Sequence, residues 1–396
     1  MHRPKIDSDK ILSFALSVFV FILIIDPTNT IFRLKDISFV FVVGLSVLHY
    51  TRIKTLALIT IILIYLIVVS TFIFGYLSVY EFDFRFTIGI LKGFSPLILL
   101  LWIDKYKLVK KLVLPSFFIC LLIIITLLTT IYNSKLFGIL YKFYMDHDAT
   151  MMIGRRSFLG VALISFFYKS LPVLIIPASI LTYKFFYGTE KRKLYFLLMI
   201  LFLTALFLGG TRACMLAVLS LILINLLLWL SRSNLGKLII IPTFIVILFA
   251  FSILVFNLIS EKNESSNKVK FAHIDSYSDL IIKHPAILLT GQGAGSLFYS
   301  KGINGMLVQT ELSYFEIIRM FGLVGAFFVI TLFVIPLYII YKKRKVLKLW
   351  IPMFIGYMLY LFVGGTNPLL LGSTGMLVLI SAYSYSLNPY YESEEW

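Results

Sequence analysis

Glu311, Glu316 and Arg319 stand close together in the most polar stretch of a chain that is otherwise 60% hydrophobic. A carboxylate can take a proton from an attacking hydroxyl, and a guanidinium can meet the charge that develops on a departing anion. The pattern predicts a helix from Thr310 to Phe321, on which Glu311, Phe315 and Arg319 recur at i, i+4 and i+8 along one side. Glu316 and Arg319 are then i, i+3 partners on the surface, and Glu316 is expected to tolerate Gln, because exposed pairs contribute only about 0 to 1 kcal/mol.

Arg212 is placed differently. Long apolar runs precede and follow it, with only Gly209-Gly210-Thr211 at the junction. A guanidinium within a bilayer costs roughly 2.5 to 3.5 kcal/mol or more, so such a residue sits at an interface or in a polar cavity. Two readings follow: a snorkelling arginine on a tight helical hairpin, or an anion-binding arginine.

The string Thr290-Gly291-Gln292-Gly293-Ala294-Gly295-Ser296 also has two readings. Its glycines permit φ > 0 and close backbone approach, so Gly291, Gly293 and Gly295 could cradle a phosphate through their N–H groups. They could equally form a turn that folds the loop back onto the membrane. Further positive charge comes from Arg155, Arg156 and Lys169, and from Lys268, Lys270, His273, Lys283 and His284. Asp146-His147-Asp148 has the Asp-x-Asp form used to hold divalent metals. The chain has no Walker loop, zinc motif or Ser-His-Asp pattern.

These residues need a scaffold, and the composition says which kind. Only 14% of the 396 residues are charged, against roughly 25% in soluble domains. Apolar runs near 20 residues match the hydrocarbon thickness as helices, and a barrel's alternation is absent. The fold class expected is an all-α polytopic membrane protein forming one integral membrane domain over residues 1–396. About twelve transmembrane helices are expected, near 11–25, 37–50, 56–74, 88–103, 112–131, 166–186, 194–210, 213–231, 238–258, 322–341, 351–366 and 369–387.

The formal net charge of +17 does not point to nucleic acid, because the basic residues lie in short clusters between apolar runs. Alternate connecting segments hold 19 of the 36 Lys and Arg residues, which places those segments and both termini in the cytoplasm. The opposite, outer side then carries a large loop at 259–321 and a second segment at 133–157. Cys120 and Cys214 fall inside expected spans and suggest no disulfide.

The loop resembles that of bacterial O-antigen polymerases, within the O-antigen polymerase and ligase superfamily. The resemblance runs from His273-Ile274-Asp275-Ser276-Tyr277, through Gly291-Gln292-Gly293-Ala294-Gly295-Ser296-Leu297-Phe298-Tyr299-Ser300, to Gln309-Thr310-Glu311-Leu312-Ser313-Tyr314 and Arg319-Met320-Phe321-Gly322. Gly209-Gly210-Thr211-Arg212-Ala213 resembles the superfamily's arginine motif at a span end. The ligase branch carries a histidine where this chain has Glu311, a departure that favours the polymerase branch.

What the resemblance implies is a C-type membrane glycosyltransferase-like enzyme in the bacterial inner membrane. It would move a growing glycan from undecaprenyl pyrophosphate onto the non-reducing sugar of another lipid-linked repeat unit. It would work without a metal or other cofactor, among membrane lipids and beside a chain-length regulator. Glu311 would be the base, with Arg212 and Arg319 as pyrophosphate-binding or orienting groups. Arg156, His273, Tyr277, Gly291, Gly293, Gly295, Gln309 and Tyr314 would line the substrate site. The rivals are a ligase that delivers glycan to lipid A core, and a transporter of polysaccharide units.

Overall fold

In the computed structural model, residues 8–50, 55–77, 81–158, 161–209, 211–232 and 265–388 are described; the span expected at 238–258 lies outside them. Of the described residues 76% are helical. The first half contains α1 (Ser8–Ile25), α2 (Lys35–His49), α3 (Thr55–Leu77) and α4 (Phe84–Phe94), the last continued by a 3-10 segment, Ser95–Lys105. Next come α5 (Leu108–Tyr132), α6 (Ser134–Asp146), β1 (Met151–Phe158), β2 (Val161–Tyr168), α7 (Ile175–Tyr187), α8 (Arg192–Leu208) and α9 (Arg212–Leu230). The polar loop supplies α10 (Ser265–Lys283), α11 (Ala286–Thr290), β3 (Phe298–Ser300) and β4 (Gly305–Leu307), followed by α12 (Ser313–Lys342), α13 (Trp350–Gly365) and α14 (Ser373–Leu387).

Among the described residues five helical segments are long and apolar enough to cross a membrane: Thr55–Leu77, Phe84–Ile103, Leu108–Tyr132, Arg212–Leu230 and Ser313–Lys342. Helix α3 leaves Leu56, Ile59, Leu66 and Phe74 exposed, a contiguous apolar surface that water would not tolerate and lipid would. At the other extreme is α14, buried from Ser373 to Ser386. It lies against α1, α4, the 3-10 segment, α5 and α12. Its small and hydroxyl residues allow this close approach: Ser381 Oγ returns its hydrogen bond to Leu377 O, and Ser384 Oγ donates to Tyr106 O.

Two expectations need correction. The apolar run assigned to a sixth span from 166 begins as a strand. Val161–Tyr168 pairs antiparallel with Met151–Phe158, from Met151 opposite Tyr168 to Phe158 opposite Val161, and the helical part starts only at Leu171. The fold remains mostly helical, with this hairpin as a local exception. The helix expected from Thr310 starts instead at Ser313, so Glu311 precedes it and does not share a helical side with Phe315 and Arg319.

The segments between helices gather at two ends of the bundle. At one end Asp9 meets His49, and Lys111 Nζ donates to Ser13 and Ser17. At the other, the Asp26 carboxylate is fully buried and accepts from the backbone N–H groups of Thr30, Ile31, Phe32 and Arg33. This folds residues 26–33 into a compact turn whose Thr28 reaches Thr150. The polar loop packs at that same end.

The glycines fix how it packs. Gly291, Gly293 and Gly295 all have positive φ, and so does Gly322, where α12 is interrupted (φ 65°, ψ 176°). A Cβ on Gly293 would lie 2.4 Å from the backbone of Gly75 in α3, and one on Gly295 would lie 2.1 Å from Thr87 Oγ1 in α4. Leu297 N donates to Glu81 O, and Asp83 N to Gly295 O, which seals the loop to the start of α4.

Gly293→Ala combines a disfavoured φ with a backbone clash and should remove roughly 2 to 4 kcal/mol. Gly138 in α6 has open space around it, and Gly138→Ala should add about 0.5 to 1 kcal/mol. Unfolding temperatures in detergent check both, and an unchanged value for Gly293→Ala would contradict the close packing described here.

Candidate functional site

The polar loop is organised on one buried ion pair. Glu316 is fully buried and Arg319 is 3% exposed. Arg319 Nε and Nη2 both donate to Glu316 Oε2, at 3.0 and 2.8 Å. Nη1 donates to Gln292 Oε1 at 2.6 Å and Ser296 O at 2.9 Å, and Nη2 also donates to Val308 O at 2.7 Å. A guanidinium has five N–H donors, and each has a partner within the protein. Glu316 Oε1 accepts from Tyr277 Oη at 2.6 Å and from Thr310 N at 2.8 Å.

Aromatic rings close the pair off. Tyr277 stacks between Phe298 and Phe315, with centroids 5.2 and 5.6 Å away, and Arg319 Cζ lies 4.6 Å over Phe298. Burial, reinforced by the Glu316 charge, pushes the Tyr277 phenol well above its ordinary pKa, so it stays a donor.

This overturns two sequence expectations. Glu316 is not in a solvated ion pair, because the loop's aromatic residues fold over it. Arg319 has no donor left for a pyrophosphate and acts as an internal clamp. The clamp nevertheless sets the position of Glu311. Thr310 N is held by Glu316, Thr310 Oγ1 meets Tyr277 Oη, and Leu312 N donates to Thr310 Oγ1. The residues on either side of Glu311 are thus tied down while its own side chain stays 58% exposed.

Glu311 points toward a cavity of about 560 Å³ whose wall also carries Arg212, Lys270, Lys169 and Asn267. Lys270 Nζ lies 3.6 Å from Glu311 Oε2, and Arg212 Nη1 donates to Asn267 Oδ1 at 3.0 Å. Arg212 opens α9, where Thr211 Oγ1 caps Cys214 N, so the helix N-terminus adds its partial positive charge beside the guanidinium. Burial lowers the Lys169 ammonium from its ordinary pKa. Met152, Phe167, Leu216 and Phe362 give the wall an apolar part.

The other expected site residues separate into different roles. The N–H groups of Gly291 and Gly293 donate to Ile287 O and Met320 O, so these glycines serve close packing and do not cradle a phosphate. Gly295 packs on Thr87. Tyr314 Oη donates to Leu361 O and its ring covers Gly365, joining α12 to α13. Gln309 lines a second, neighbouring cavity. Arg155 and Arg156 lie in β1 opposite Ile164 and Leu163. Asp146 ends α6, and the His147 ring turns back to Phe143 O; among the described residues no group of three His, Cys, Asp or Glu side chains could hold a metal.

His273 is buried, with Nδ1 2.6 Å from Ser300 Oγ, and so ties α10 to β3. Burial lowers its pKa from the ordinary 6.5, while Glu311 and Glu316 raise it and Lys270 lowers it further.

Sequence reasoning missed Asn267, Lys270 and Asn367 as neighbours of Glu311. The spacing of Asn267 and Lys270, i and i+3 on α10, was their one available signal.

The fold and this site together define a helical membrane protein with a charged cavity at one end of its bundle. Compared with protein-family models, curated proteins and solved structures, the chain finds no match.

Two outcomes follow from these contacts. Glu316→Gln leaves the Arg319 charge buried without its carboxylate and should cost about 3 to 5 kcal/mol, whereas Glu311→Gln should leave the unfolding temperature unchanged. Equal unfolding temperatures for the two variants would contradict the clamp. The second outcome concerns acid. Above pH 6.5 the His273 ring is neutral in folded and unfolded chains alike. As the pH falls below 6.5 the unfolded chain takes up the proton first, so loop stability decreases through the lowered folded pKa. Hydrogen-exchange protection across 270–310, taken relative to the intrinsic rate at each pH, should fall from pH 7 to pH 5 by more than that of the rest of the bundle, and His273→Gln should flatten the difference.

Proposed function

We propose that the protein is an O-antigen polymerase of the bacterial inner membrane, joining undecaprenyl-pyrophosphate-linked repeat units at the periplasmic face. The observation that carries this reading is the composition of the larger cavity. It places one carboxylate and three cations, Glu311 with Arg212, Lys169 and Lys270, against an apolar wall beside lipid-facing helices. A polyprenyl pyrophosphate has the same two-part chemistry. The apolar wall suits the isoprenoid chain, and the cations suit the pyrophosphate.

In this reading the acceptor hydroxyl attacks the anomeric carbon of the donor's first sugar. The bond from that carbon to the pyrophosphate oxygen breaks and the electron pair leaves with undecaprenyl pyrophosphate. Glu311 takes the hydroxyl proton. Arg212 and Lys270 stabilise charge on the leaving group, where preorganised cations are most effective. Lys270 lies beside Glu311, at 3.6 Å. Arg319 contributes by positioning only.

The orientation belongs to the same proposal, with both termini cytoplasmic and residues 265–321 periplasmic. A single cysteine placed at Lys283 should label in intact cells and one at Lys345 should not; the reverse pattern would contradict this orientation.

The activity test uses the purified protein with synthetic lipid-linked repeat units. Glu311→Gln should lower turnover by roughly 10²- to 10⁴-fold, as is typical of lost acid–base catalysis. Arg212→Lys keeps the charge but loses the planar fork that holds two phosphate oxygens, and should also be strongly impaired. Near wild-type turnover in both variants, at matched folding, would remove this cavity from the reaction.

A further inference from the structure

Next to the larger cavity lies a second one of about 380 Å³, within the roughly 300 to 1,000 Å³ of small-molecule sites. The two share Lys169, Pro368 and Leu369 as a common wall. The chemistry of the second is distinct. Phe86, Gly89 and Ile90 of α4 form one side, and Asn29, Gln309 and Thr374 offer neutral polar groups. Lys35, Lys92 and Lys169 bring three ammonium groups, against Asp36 as the one carboxylate in the wall.

Those three ammonium groups repel one another. Burial lowers the Lys35 pKa first, and Lys169 and Lys92 lower it further against the pull of Asp36 and Asp26. Lys35 Nζ is held at 2.9 Å by Pro27 O. Lys92 lies 3.6 Å from Asp36 in a pair that is more than half exposed on both sides, and so is only weakly neutralised. The nearby Asp26 carboxylate is occupied by four backbone N–H groups. Like charges gathered in a concave site favour an anionic ligand.

The floor of the cavity is equally specific. Phe86 and Gly89 stand at i and i+3 on one side of α4, and a Cβ on Gly89 would meet nothing within 4 Å. An aromatic ring beside an open helix face gives a flat apolar platform, and Asn29, Gln309 and Thr374 supply hydrogen-bonding groups around it. That combination fits a pyranose ring. The lysines fit a charged substituent on it.

We infer that this second cavity is a subsite for a carboxylate-bearing sugar, so that the repeat unit handled by the protein is an acidic glycan. The glycan part rests on the polymerase reading given above; the preference for an anion rests on the cavity alone. Lys35 and Lys92 bind the sugar carboxylate, and Lys169 stands between it and the larger cavity. The subsite selects the repeat unit, and Glu311 acts at the bond that joins it.

The test measures binding without any lipid-linked donor. The full chain is reconstituted in phosphatidylcholine nanodiscs and titrated with trigalacturonic acid and with neutral galactotriose. The acidic trisaccharide should bind at least about tenfold more tightly, and the difference should shrink with salt. Lys35→Gln and Lys92→Gln should each weaken it by roughly three- to tenfold. Gly89→Leu puts a side chain on the open face, where a Cβ meets nothing within 4 Å, and should abolish binding at an unchanged unfolding temperature.

Equal affinity for the two trisaccharides, or full binding by Gly89→Leu, would overturn the inference. So would competition by phosphatidylglycerol in the discs that displaces the acidic trisaccharide at equal concentration, since the site would then be a lipid headgroup site. The two proposals fail separately. Acid-selective binding without polymerisation removes the polymerase reading and leaves the subsite, whereas polymerisation without acid selectivity removes the subsite alone.

Discussion

The loop's architecture depends on the Glu316–Arg319 pair. Two buried charges are tolerable only when the geometry is good and every remaining lone pair and N–H is satisfied, and here all five guanidinium donors have acceptors. Those acceptors come from Gln292, Ser296, Val308 and Glu316. One side chain therefore gathers the glycine turn, the end of the β3–β4 hairpin and the start of α12. Tyr277 brings α10 to the same point through Glu316. Breaking the pair would release four parts of the loop at once, and such cooperativity gives the loop one shape.

That shape places the chemistry. Glu311 follows Thr310, whose N–H and hydroxyl are both fixed by the clamp, and Lys270 sits on the helix that Tyr277 and His273 secure. The glycines act one level further out: Gly293 and Gly295 let the loop rest on α3 and α4. Charge in the cavity is thus held by residues that never face it. The clamp arginine and the cavity arginine have different tasks: Arg319 gathers the loop, whereas Arg212 stands in the wall of the cavity.

Much of the helical scaffold was legible from apolar run length, because in lipid the backbone must satisfy its own hydrogen bonds. The β1–β2 pair was not. Val161–Tyr168 is apolar but for Ser165, and such a run reads equally as buried strand or as helix. Within the site, the spacing of Glu316 and Arg319 revealed an ion pair but not its burial, which comes from Phe298 and Phe315 closing over it. The cavity residues Lys169, Arg212, Lys270 and Glu311 are far apart in sequence, and only the third dimension joins them. The glycine string was legible as a special backbone, while its purpose required seeing Gly75 and Thr87 beneath it.

Helix α14 bears on how such a molecule is assembled. It is translated after every helix it touches, yet it occupies the middle of them. Until it arrives, α1, α4, α5 and α12 surround an unfilled axis that lipid tails or neighbouring helices must temporarily occupy. Its serines and small side chains let it slide in with little steric resistance, and each hydroxyl can satisfy itself on its own helix on the way. Completion of the bundle is therefore a late insertion event, and the cavity whose walls come from α9, α10 and α13 takes its final form only once that central axis is filled.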